Sequence, residues 1–551
     1  MPPPEDRKVP FTCRAKSPQT PASKGRTRMR SISTVILFSA LSALIGMAHG
    51  AEAMNTDLGH TIGPADCLVV NETPQPNERI SWTGGCKDGR ANGQGILNWY
   101  QHDTLVQRFE GRLVAGKREG HGVLSYLNEG TARFEGEYKD DKRHGPGVMT
   151  LSNGQTRAGL YVNGELTGEV KIIGPGALRY EGIWQRGMPN GRGRMVYLDG
   201  GVYEGEFRNG VRSGPGTLTT SSGQVVSGRF ENNELTGMAQ ISGPGTFHYK
   251  GAWERGAPNG HGRMQYTDGA TFEGDFSAGA RHGKGVMLAQ NGVRFEGNWV
   301  QNELTGDGQI VQPDGSRYQG QVLRGRPHGQ GTAIDVQGTR YEGAWVDGQL
   351  NGAGRQSNPN GASYTGHFKL GKFDGPGELH YVDGGHYKGD FKTGMRHGQG
   401  VLTDGLGNVR QGGWANDLMD GQGSEKSANG AHYDGGWQQG RFHGRGILVE
   451  AQGQRTEGSW NNGALQGDVR WEDAEGTRSN AHFERGVPNG PAVISYKNGS
   501  KARGQFVRGL LDGVWTLDFP DGQRMEVTYR MGTPLGRDLV LPKPSLPGQT
   551  I

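Results

Sequence analysis

Five histidines raise the question of a metal site, because each stands directly before a glycine of one recurring motif. They are His144, His282, His328, His397 and His443. The closest of them are 46 residues apart. That is two motifs, or about 19 Å if each motif adds two strands spaced about 4.8 Å apart. Ligands of one ion lie far closer together. We therefore interpret these histidines as packing residues at a rim and predict no metal site.

Paired carboxylates are the next candidates for chemistry. Glu204 and Glu206 alternate along one segment without a convergent partner, as is typical of a solvated strand face. The chain contains no Gly-x-x-x-x-Gly-Lys-[Ser/Thr], His-Glu-x-x-His or Gly-x-Ser-x-Gly motif. We predict a protein that is not an enzyme, with no catalytic residue, no cofactor and no small-molecule substrate.

Two cysteines, Cys67 and Cys86, remain when Cys13 near the N-terminus is set aside. In an oxidising compartment a pair 19 residues apart is expected to form a disulfide. The alternative is two free buried thiols. Two cysteines alone cannot complete a zinc site.

Residues 29–53 have the layout of a secretory signal peptide. Arg30 precedes an apolar run from Ile32 to Met47, and small residues follow at the cleavage motifs Ala48-His-Gly50 and Ala51-Glu-Ala53. The run of 16 residues is shorter than the roughly 20 that span a bilayer. We expect export to the periplasm or cell envelope of a Gram-negative bacterium, with an uncleaved membrane anchor as the alternative.

The charge of the chain divides unevenly. Residues 1–30 carry eight basic and two acidic side chains, a net of +6, so the total of +4 leaves −2 for the remainder. A near-neutral exported chain does not attract nucleic acid or anionic lipid by its overall charge. Glycine and proline together supply 126 of the 551 residues and only 32% is hydrophobic, so the chain is either disordered or a repeat protein.

The deciding observation is a period of 23 residues. It runs without insertion from Phe134 to Met525, and two looser units begin at Trp82 and Phe109, which makes about 20 units. From Phe134 onward the fifth position is aromatic in 17 of 18 units, the twelfth is always Gly, and the eighth is always Gly, Asn or Asp. A second period of 69 residues repeats Glu-Leu-Thr-Gly, which indicates duplication of a three-unit block.

The unit beginning at Tyr203 shows what the pattern builds. Tyr203, Gly205 and Phe207 alternate, so they face one side of a strand. Gly210 suits a turn at positive φ, and a second strand carries Gly214 and Gly216. We predict an all-β solenoid of stacked β-hairpins, an open antiparallel ribbon in which the glycines leave room for rings of a neighbouring strand.

These units resemble MORN repeats, whose pattern begins Tyr-Glu-Gly-x-Trp and continues with Gly-x-Gly about eleven residues after the tyrosine. The resemblance covers about 450 residues, with degenerate units at 157, 226, 410 and 456–536. It implies an elongated β-hairpin solenoid with a shallow aromatic-lined groove. It also implies a role in protein association, dimerisation or phospholipid binding.

The predicted site is therefore the aromatic face. In one interpretation the rings only fill the groove; in the other they line it for a peptide, a glycan or a lipid chain. The candidate groove residues are Tyr138, Trp184, Tyr203, Phe207, Tyr249, Trp253, Phe272, Phe276, Trp299, Tyr341, Trp345, Phe368, Phe391, Trp414, Trp437 and Trp460. The predicted structural glycines are Gly145, Gly191, Gly214, Gly260, Gly283, Gly329, Gly398 and Gly444.

The predicted organisation is an N-terminal extension with a signal peptide (1–53), a linker or cap (54–81), the repeats (82–536) and a proline-containing tail (537–551). The predicted function is a scaffold of the cell envelope that binds a protein partner or a second copy through its groove and strand edges. The alternative is a protein that binds a phospholipid or glycan surface.

Overall fold

The computed structural model describes residues 61–64, 66–128, 132–176, 178–536 and 541. The expected signal peptide and nearly all of the expected tail lie outside the described residues. What is described is built of β-strands, turns and loops, which confirms the all-β fold. Within these ranges no helix has the length and apolar character needed to cross a membrane.

Each unit is a hairpin joined to the next by a short loop. In the Tyr203 unit, β14 (Val202–Arg208) and β15 (Val211–Thr219) are joined by Asn209 and Gly210. Their φ values of 48° and 81° are those of a type I′ turn, whose twist matches that of the strands. Five residues, from Thr220 to Gln224, then lead to the next strand, and the loop is closed by a hydrogen bond of 2.8 Å from Thr220 N to Gln224 O.

The chain forms two compact units, and strand β22 (Arg294–Val300) contributes residues to both. In the N-terminal unit each strand from β5 to β20 pairs antiparallel with its sequence neighbours. Its strands are β1 (Thr61–Ile62), β2 (Val69–Val70), β3 (Glu78–Trp82), β4 (Gly85–Lys87), β5 (Arg90–Gln101), β6 (Thr104–Val114), β7 (Lys117–Tyr126), β8 (Ala132–Lys139), β9 (Lys142–Thr150), β10 (Thr156–Val162), β11 (Glu165–Ile173), β12 (Arg179–Gln185), β13 (Met188–Val196), β14, β15, β16 (Val225–Glu231), β17 (Glu234–Ser242), β18 (His248–Glu254), β19 (Ala257–Gln265), β20 (Thr271–Ser277) and β21 (Ala280–Leu288).

The C-terminal unit continues the same alternation of hairpin and loop. Its strands are β23 (Glu303–Val311), β24 (Arg317–Leu323), β25 (Arg326–Ile334), β26 (Arg340–Val346), β27 (Gln349–Ser357), β28 (Ser363–Lys369), β29 (Lys372–His380), β30 (His386–Lys392), β31 (Met395–Thr403), β32 (Val409–Ala415), β33 (Leu418–Lys426), β34 (His432–Gln438), β35 (Arg441–Val449), β36 (Arg455–Asn461), β37 (Ala464–Glu472), β38 (Arg478–Glu484), β39 (Val487–Ser495), β40 (Lys501–Val507), β41 (Leu510–Asp518), β42 (Arg524–Arg530) and β43 (Thr533–Pro534).

A β-bulge interrupts the hairpin register on the second strand. In the Tyr203 unit Gly205 pairs with Gly216 and Phe207 pairs with Arg212. Residues 213–215 of β15 therefore lie opposite the single residue Glu206 of β14. The middle residue of the three, Gly214, has φ 85°, a conformation that only glycine adopts at no steric cost. The glycine at the twelfth position is therefore required by the backbone.

The turns of successive hairpins line one edge of the sheet, and we call this row of turns the turn rim. Backbone hydrogen bonds join each turn to the preceding hairpin. The amide of the eighth residue donates to a carbonyl in the preceding hairpin, as in Gly210 N to Pro189 O at 2.9 Å and Gly394 N to Phe373 O at 2.8 Å. These bonds satisfy turn amides that would otherwise need water.

The N-terminal segment closes the first hairpins. Cys67 and Cys86 form a disulfide with a Cα–Cα distance of 5.3 Å. Leu68 N donates to Gly89 O, and Ala91 N donates back to Leu68 O, each at 2.9 Å. At the other end Leu541 is 2% exposed, and its amide donates to Tyr529 Oη at 2.9 Å.

Candidate functional site

The first aromatic of each regular unit lies over glycines of its own hairpin. A Cβ atom added to Gly205 or Gly216 would collide with the ring of Tyr203. For Gly216 the ring comes from the neighbouring strand, as predicted, whereas for Gly205 it comes from the same strand. The Tyr203 hydroxyl donates to the carbonyl of Glu206 at 3.1 Å, which fixes the ring in place.

Ring contacts then link one unit to the next. Tyr203 meets Phe207 edge-on at a centroid distance of 5.1 Å, and it meets Phe230 of the following unit at 5.2 Å. The same edge-on contact with the next unit recurs at Tyr318 and Trp345, at 5.3 Å. T-shaped pairs of this kind add roughly 0.5–1.5 kcal/mol each beyond the area that they bury.

Each of the sixteen candidate groove residues is buried. Their exposed fractions lie between 0 and 7%. They are Tyr138, Trp184, Tyr203, Phe207, Tyr249, Trp253, Phe272, Phe276, Trp299, Tyr341, Trp345, Phe368, Phe391, Trp414, Trp437 and Trp460. The rings in this structure present no open face to a ligand, so any ligand that reaches them must first displace neighbouring side chains.

Burial also keeps the tyrosines neutral. Desolvation raises the pKa of Tyr203 to about 12, and it raises the pKa values of Tyr180 and Tyr249 to about 12 as well. A phenol in this state donates hydrogen bonds and does not act as a base near neutral pH.

The eight predicted glycines all occupy the bulge. Their φ values lie between 61° and 95°, in the left-handed region. They are Gly145, Gly191, Gly214, Gly260, Gly283, Gly329, Gly398 and Gly444. Room for a ring is provided instead by glycines at the third and fourteenth positions, such as Gly205 and Gly216.

Sequence reasoning missed a set of arginine clips between units. Arg396 donates from its backbone N and its Nε to Asp417 Oδ1 at 2.9 and 3.0 Å, and from Nη2 to the Asp417 carbonyl at 2.8 Å. Its guanidinium lies 4.6 Å from the centroid of Trp414 and 5.8 Å from that of Tyr387. The arginine therefore covers two rings and holds the next turn at the same time.

A covariation within the repeat carries the signal for these clips. From Phe134 onward, the eighth position departs from glycine four times. In each case the tenth position of the preceding unit is arginine. The pairs are Arg118–Asp141, Arg212–Asn233, Arg281–Asn302 and Arg396–Asp417. A fifth arginine at the tenth position, Arg143, is followed by Gly164 and lies over Phe134 and Tyr161.

The five histidines occupy the eleventh position, beside the bulge. In other units this position caps the next turn, as Asn259 Oδ1 does by accepting from Ala278 N at 3.2 Å. Among the described residues, no three His, Cys, Asp or Glu side chains are placed to share a metal ion.

The units near the C-terminus build the same core from different positions. Ala502 stands where a regular unit has its first aromatic, and Trp515 stands where it has its fourteenth-position glycine. Trp515 is fully buried, lies 5.4 Å from Phe506, and fills the space above Gly504. The ring has moved to the opposite strand of the hairpin.

Taken together, these features define a protein of tandem β-hairpins with a core of aromatic rings and glycines. The MORN repeat family model matches fifteen segments, which together span more than half of the chain. This chain belongs to the MORN repeat family. The matched residues are 109–131, 134–156, 180–202, 203–225, 249–271, 272–294, 295–317, 318–340, 341–363, 364–386, 387–407, 411–432, 433–455, 481–501 and 503–524.

The degenerate units also form hairpins. The units that begin at residues 157, 226 and 456 have no family match, yet each has two paired strands. The units at 410, 479 and 502 fall largely within matched segments.

Solved structures give only weak likenesses. The SAS-4 (dCPAP) TCP domain of Drosophila melanogaster, in complex with a proline-rich motif of Ana2 (dSTIL), is 14% identical, covers 28% of this chain and 86% of its own, and has a TM-score of 0.19. The TCP10 domain of Danio rerio CPAP is 15% identical, covers 48% and 99%, and has a TM-score of 0.15. Likenesses at these scores carry no argument about this chain. A comparison with curated proteins gave no match.

Proposed function

We propose that this chain is a non-enzymatic scaffold that binds protein partners, or a second copy, through its exposed rims and strand edges. One observation carries the proposal: the aromatic rings are buried in the core, with exposed fractions of 7% or less among the sixteen candidates. Large apolar side chains nevertheless stay exposed along the turn rim, as at Leu323, Leu370 and Leu418. Exposed apolar side chains grouped in this way are typical of interaction surfaces.

The regular geometry supports the same proposal. Successive turns are joined by backbone hydrogen bonds of about 3 Å, so the rim holds its side chains at fixed intervals. Repeat proteins commonly use such extended surfaces for binding.

We further propose that the chain is exported to the cell envelope of a Gram-negative bacterium. The support is the signal-peptide pattern in residues 29–53 and the Cys67–Cys86 pair, since disulfides persist in oxidising compartments. The intact mass of the exported chain tests this. Cleavage after Gly50 or Ala53 is expected, and a full-length mass would contradict cleavage.

A phospholipid or glycan surface is the rival target. One observation favours the phospholipid: the exposed Leu370 stands between Lys369 and Lys372 at the tip of one turn. Such a turn combines apolar insertion with attraction to anionic headgroups.

The two targets are separated by sedimentation and light scattering of the full chain, alone and with anionic liposomes, together with photo-crosslinking from rim positions in cells. A concentration-dependent dimer, or a protein cross-linked in fixed stoichiometry, is the expected result. A strictly monomeric chain with no cross-linked protein would contradict the scaffold. A monomer that floats with liposomes would instead support the lipid target.

A further inference from the structure

Five consecutive turns of the C-terminal unit carry exposed side chains whose types the fold does not determine. We call it the C-terminal rim. It consists of residues 323–326, 346–349, 369–372, 392–395 and 415–418. Its turns are joined by hydrogen bonds of 2.8–3.1 Å, from Gly348 N to Pro327 O through Asp417 N to Arg396 O. The rim is therefore a continuous row of hydrogen-bonded turns.

Large apolar side chains on this rim are exposed. One occurs in each of the five turns, with exposed fractions between 36 and 67%. They are Leu323, Val346, Leu370, Met395 and Leu418. Leu370 is exposed most, and it stands at a turn position with φ 52°, where Asn or Asp would be the less strained choice. The fold thus has no local reason to place leucine there.

Cations accompany the apolar side chains. The C-terminal rim holds Arg324, Arg326, Lys369, Lys372 and Lys392 against Asp347 and Asp417, a formal charge of +3. Asp417 is already held by Arg396. Within the part of the chain that the structure describes, Lys369, Lys372 and Lys392 form no ion pair.

The equivalent rim of the N-terminal unit serves as an internal comparison. It consists of residues 185–188, 208–211, 231–234, 254–257 and 277–280, and its turns are joined in the same way, as in Gly279 N to Pro258 O at 2.9 Å. Three arginines balance three glutamates there, giving a formal charge of 0, and Met188 is its one exposed large apolar side chain. Identical backbone geometry does not demand apolar and basic residues.

On the basis of the proposed function, we propose that the C-terminal rim binds an acidic segment of a protein partner in which every third side chain is apolar and the others are carboxylates. Carboxylates would pair with the three free lysines while leucine-like side chains cover the exposed row. Successive turns are two strands, or about 9.6 Å, apart, so five turns span roughly 38 Å. A segment of about 12 residues in the polyproline II conformation, at about 3.1 Å per residue, matches that length and turns one side chain in three toward the rim, about one for each turn.

The test uses the full chain and a labelled peptide of four Glu-Leu-Glu triplets. Lys369→Glu, Lys372→Glu and Lys392→Glu combined, or Leu370→Asp alone, should weaken peptide binding about tenfold or more. The matched control reverses three charges on the other rim, with Arg186→Glu, Arg208→Glu and Arg255→Glu. It should change affinity less than about twofold. Circular dichroism melts check that each variant is folded.

Three results of these binding measurements would each overturn the proposal. The control variant could lose as much affinity as the rim variant, which would make the effect one of overall charge. A Glu-Ser-Glu peptide could bind as well as the leucine peptide. The wild-type chain could bind phosphatidylglycerol vesicles and not the peptide. The cross-linking experiment separates this proposal from the proposed function. A complex that persists in the rim variant would contradict only the rim assignment. The absence of any complex in the wild type would contradict the scaffold function itself.

Discussion

Two hairpins of the C-terminal unit solve one packing problem in opposite ways. In the unit beginning at Tyr433, the ring comes from the first strand, and Gly446 on the second strand makes room for it. In the unit beginning at Ala502, the ring is Trp515 on the second strand, and the first strand supplies the small residues Ala502 and Gly504. The comparison teaches that the ring at this place in the core can be supplied by either strand of the hairpin.

This exchange bears on function. A binding groove would need its rings at fixed places on an open face, whereas a core needs only that its volume be filled. Trp345 and Trp515 are both fully buried although they stand at different repeat positions. The rings behave as a core, which is why we propose the rims as the recognition surface.

The largest expected effect is at Trp515. Trp515→Gly should destabilise the last hairpins by about 3–5 kcal/mol, because it empties a fully buried ring site. Adding Ala502→Tyr should recover much of the loss, since it restores the pattern of the regular units. Hydrogen exchange of peptides covering residues 501–518 measures both variants. A double variant no more protected than the single one would refute the idea that either strand can supply the ring.

A smaller effect is expected at the paired glycine of the regular unit. Gly446→Ala should cost about 1–3 kcal/mol, because its methyl group would press on the Tyr433 ring. The same substitution should be nearly neutral once Tyr433→Ser is present, as in the unit beginning at Ser479, which carries Ala492 at the equivalent position. Thermal unfolding of the four chains gives the coupling energy, and additive costs would contradict a shared cause.

The glycine of the bulge provides a matched control for that experiment. A methyl group on Gly444 would meet no atom within 4 Å, yet φ is 70°. Gly444→Ala should therefore cost about 1–2 kcal/mol from backbone strain alone. That cost should be the same with and without Tyr433→Ser, because no ring is involved.

The arginine clips should contribute about 1–3 kcal/mol each, since their hydrogen bonds involve a charged donor. Asp417→Gly removes the carboxylate of one clip and leaves Arg396 over the rings with only the backbone carbonyl of residue 417 as its acceptor. Arg396→Leu combined with Asp417→Gly reproduces the leucine–glycine seam found at Leu350 and Gly371. The double variant should be more stable than Asp417→Gly alone in urea unfolding. If it is less stable, the clip does not act as a pair.

The smallest expected effect is a dependence on alkaline pH. Burial raises the pKa of Tyr203 to about 12 from about 10 in the unfolded chain. Its contribution to stability is complete below about pH 10 and is lost as the pH rises through about 12. Tyr203→Phe should therefore lower the melting temperature at pH 7, through loss of the hydrogen bond to Glu206. By pH 11 that difference should shrink or reverse, by an amount on the order of 1 kcal/mol. An unchanged difference would mean that the phenol is accessible to solvent.

Much of this fold could be predicted from the sequence because the repeat is local. Alternation at Tyr203, Gly205 and Phe207 predicted the strand, and Gly210 predicted the turn. The turn contains two residues at positive φ, Asn209 and Gly210, whereas the sequence predicted only Gly210. The separate duties of Gly214 and Gly216 could not be told apart, because a bulge appears only when strands are paired.

The candidate site was harder to predict. Whether Trp345 faces solvent depends on how neighbouring strands twist and close over it, which one unit of sequence does not encode. The Arg396–Asp417 clip was visible as covariation between successive units but needed the structure to give it a meaning.

Hydroxyl-radical footprinting of the full chain, with oxidation at each residue normalised to that in the unfolded chain, tests the central claim most directly. The account predicts that Leu370, Met395 and Leu418 on the C-terminal rim are oxidised rapidly. It also predicts that Trp345, Trp414 and Trp437 are protected. Ring oxidation as fast as that of the rim would contradict it and would make the aromatic face an open binding surface.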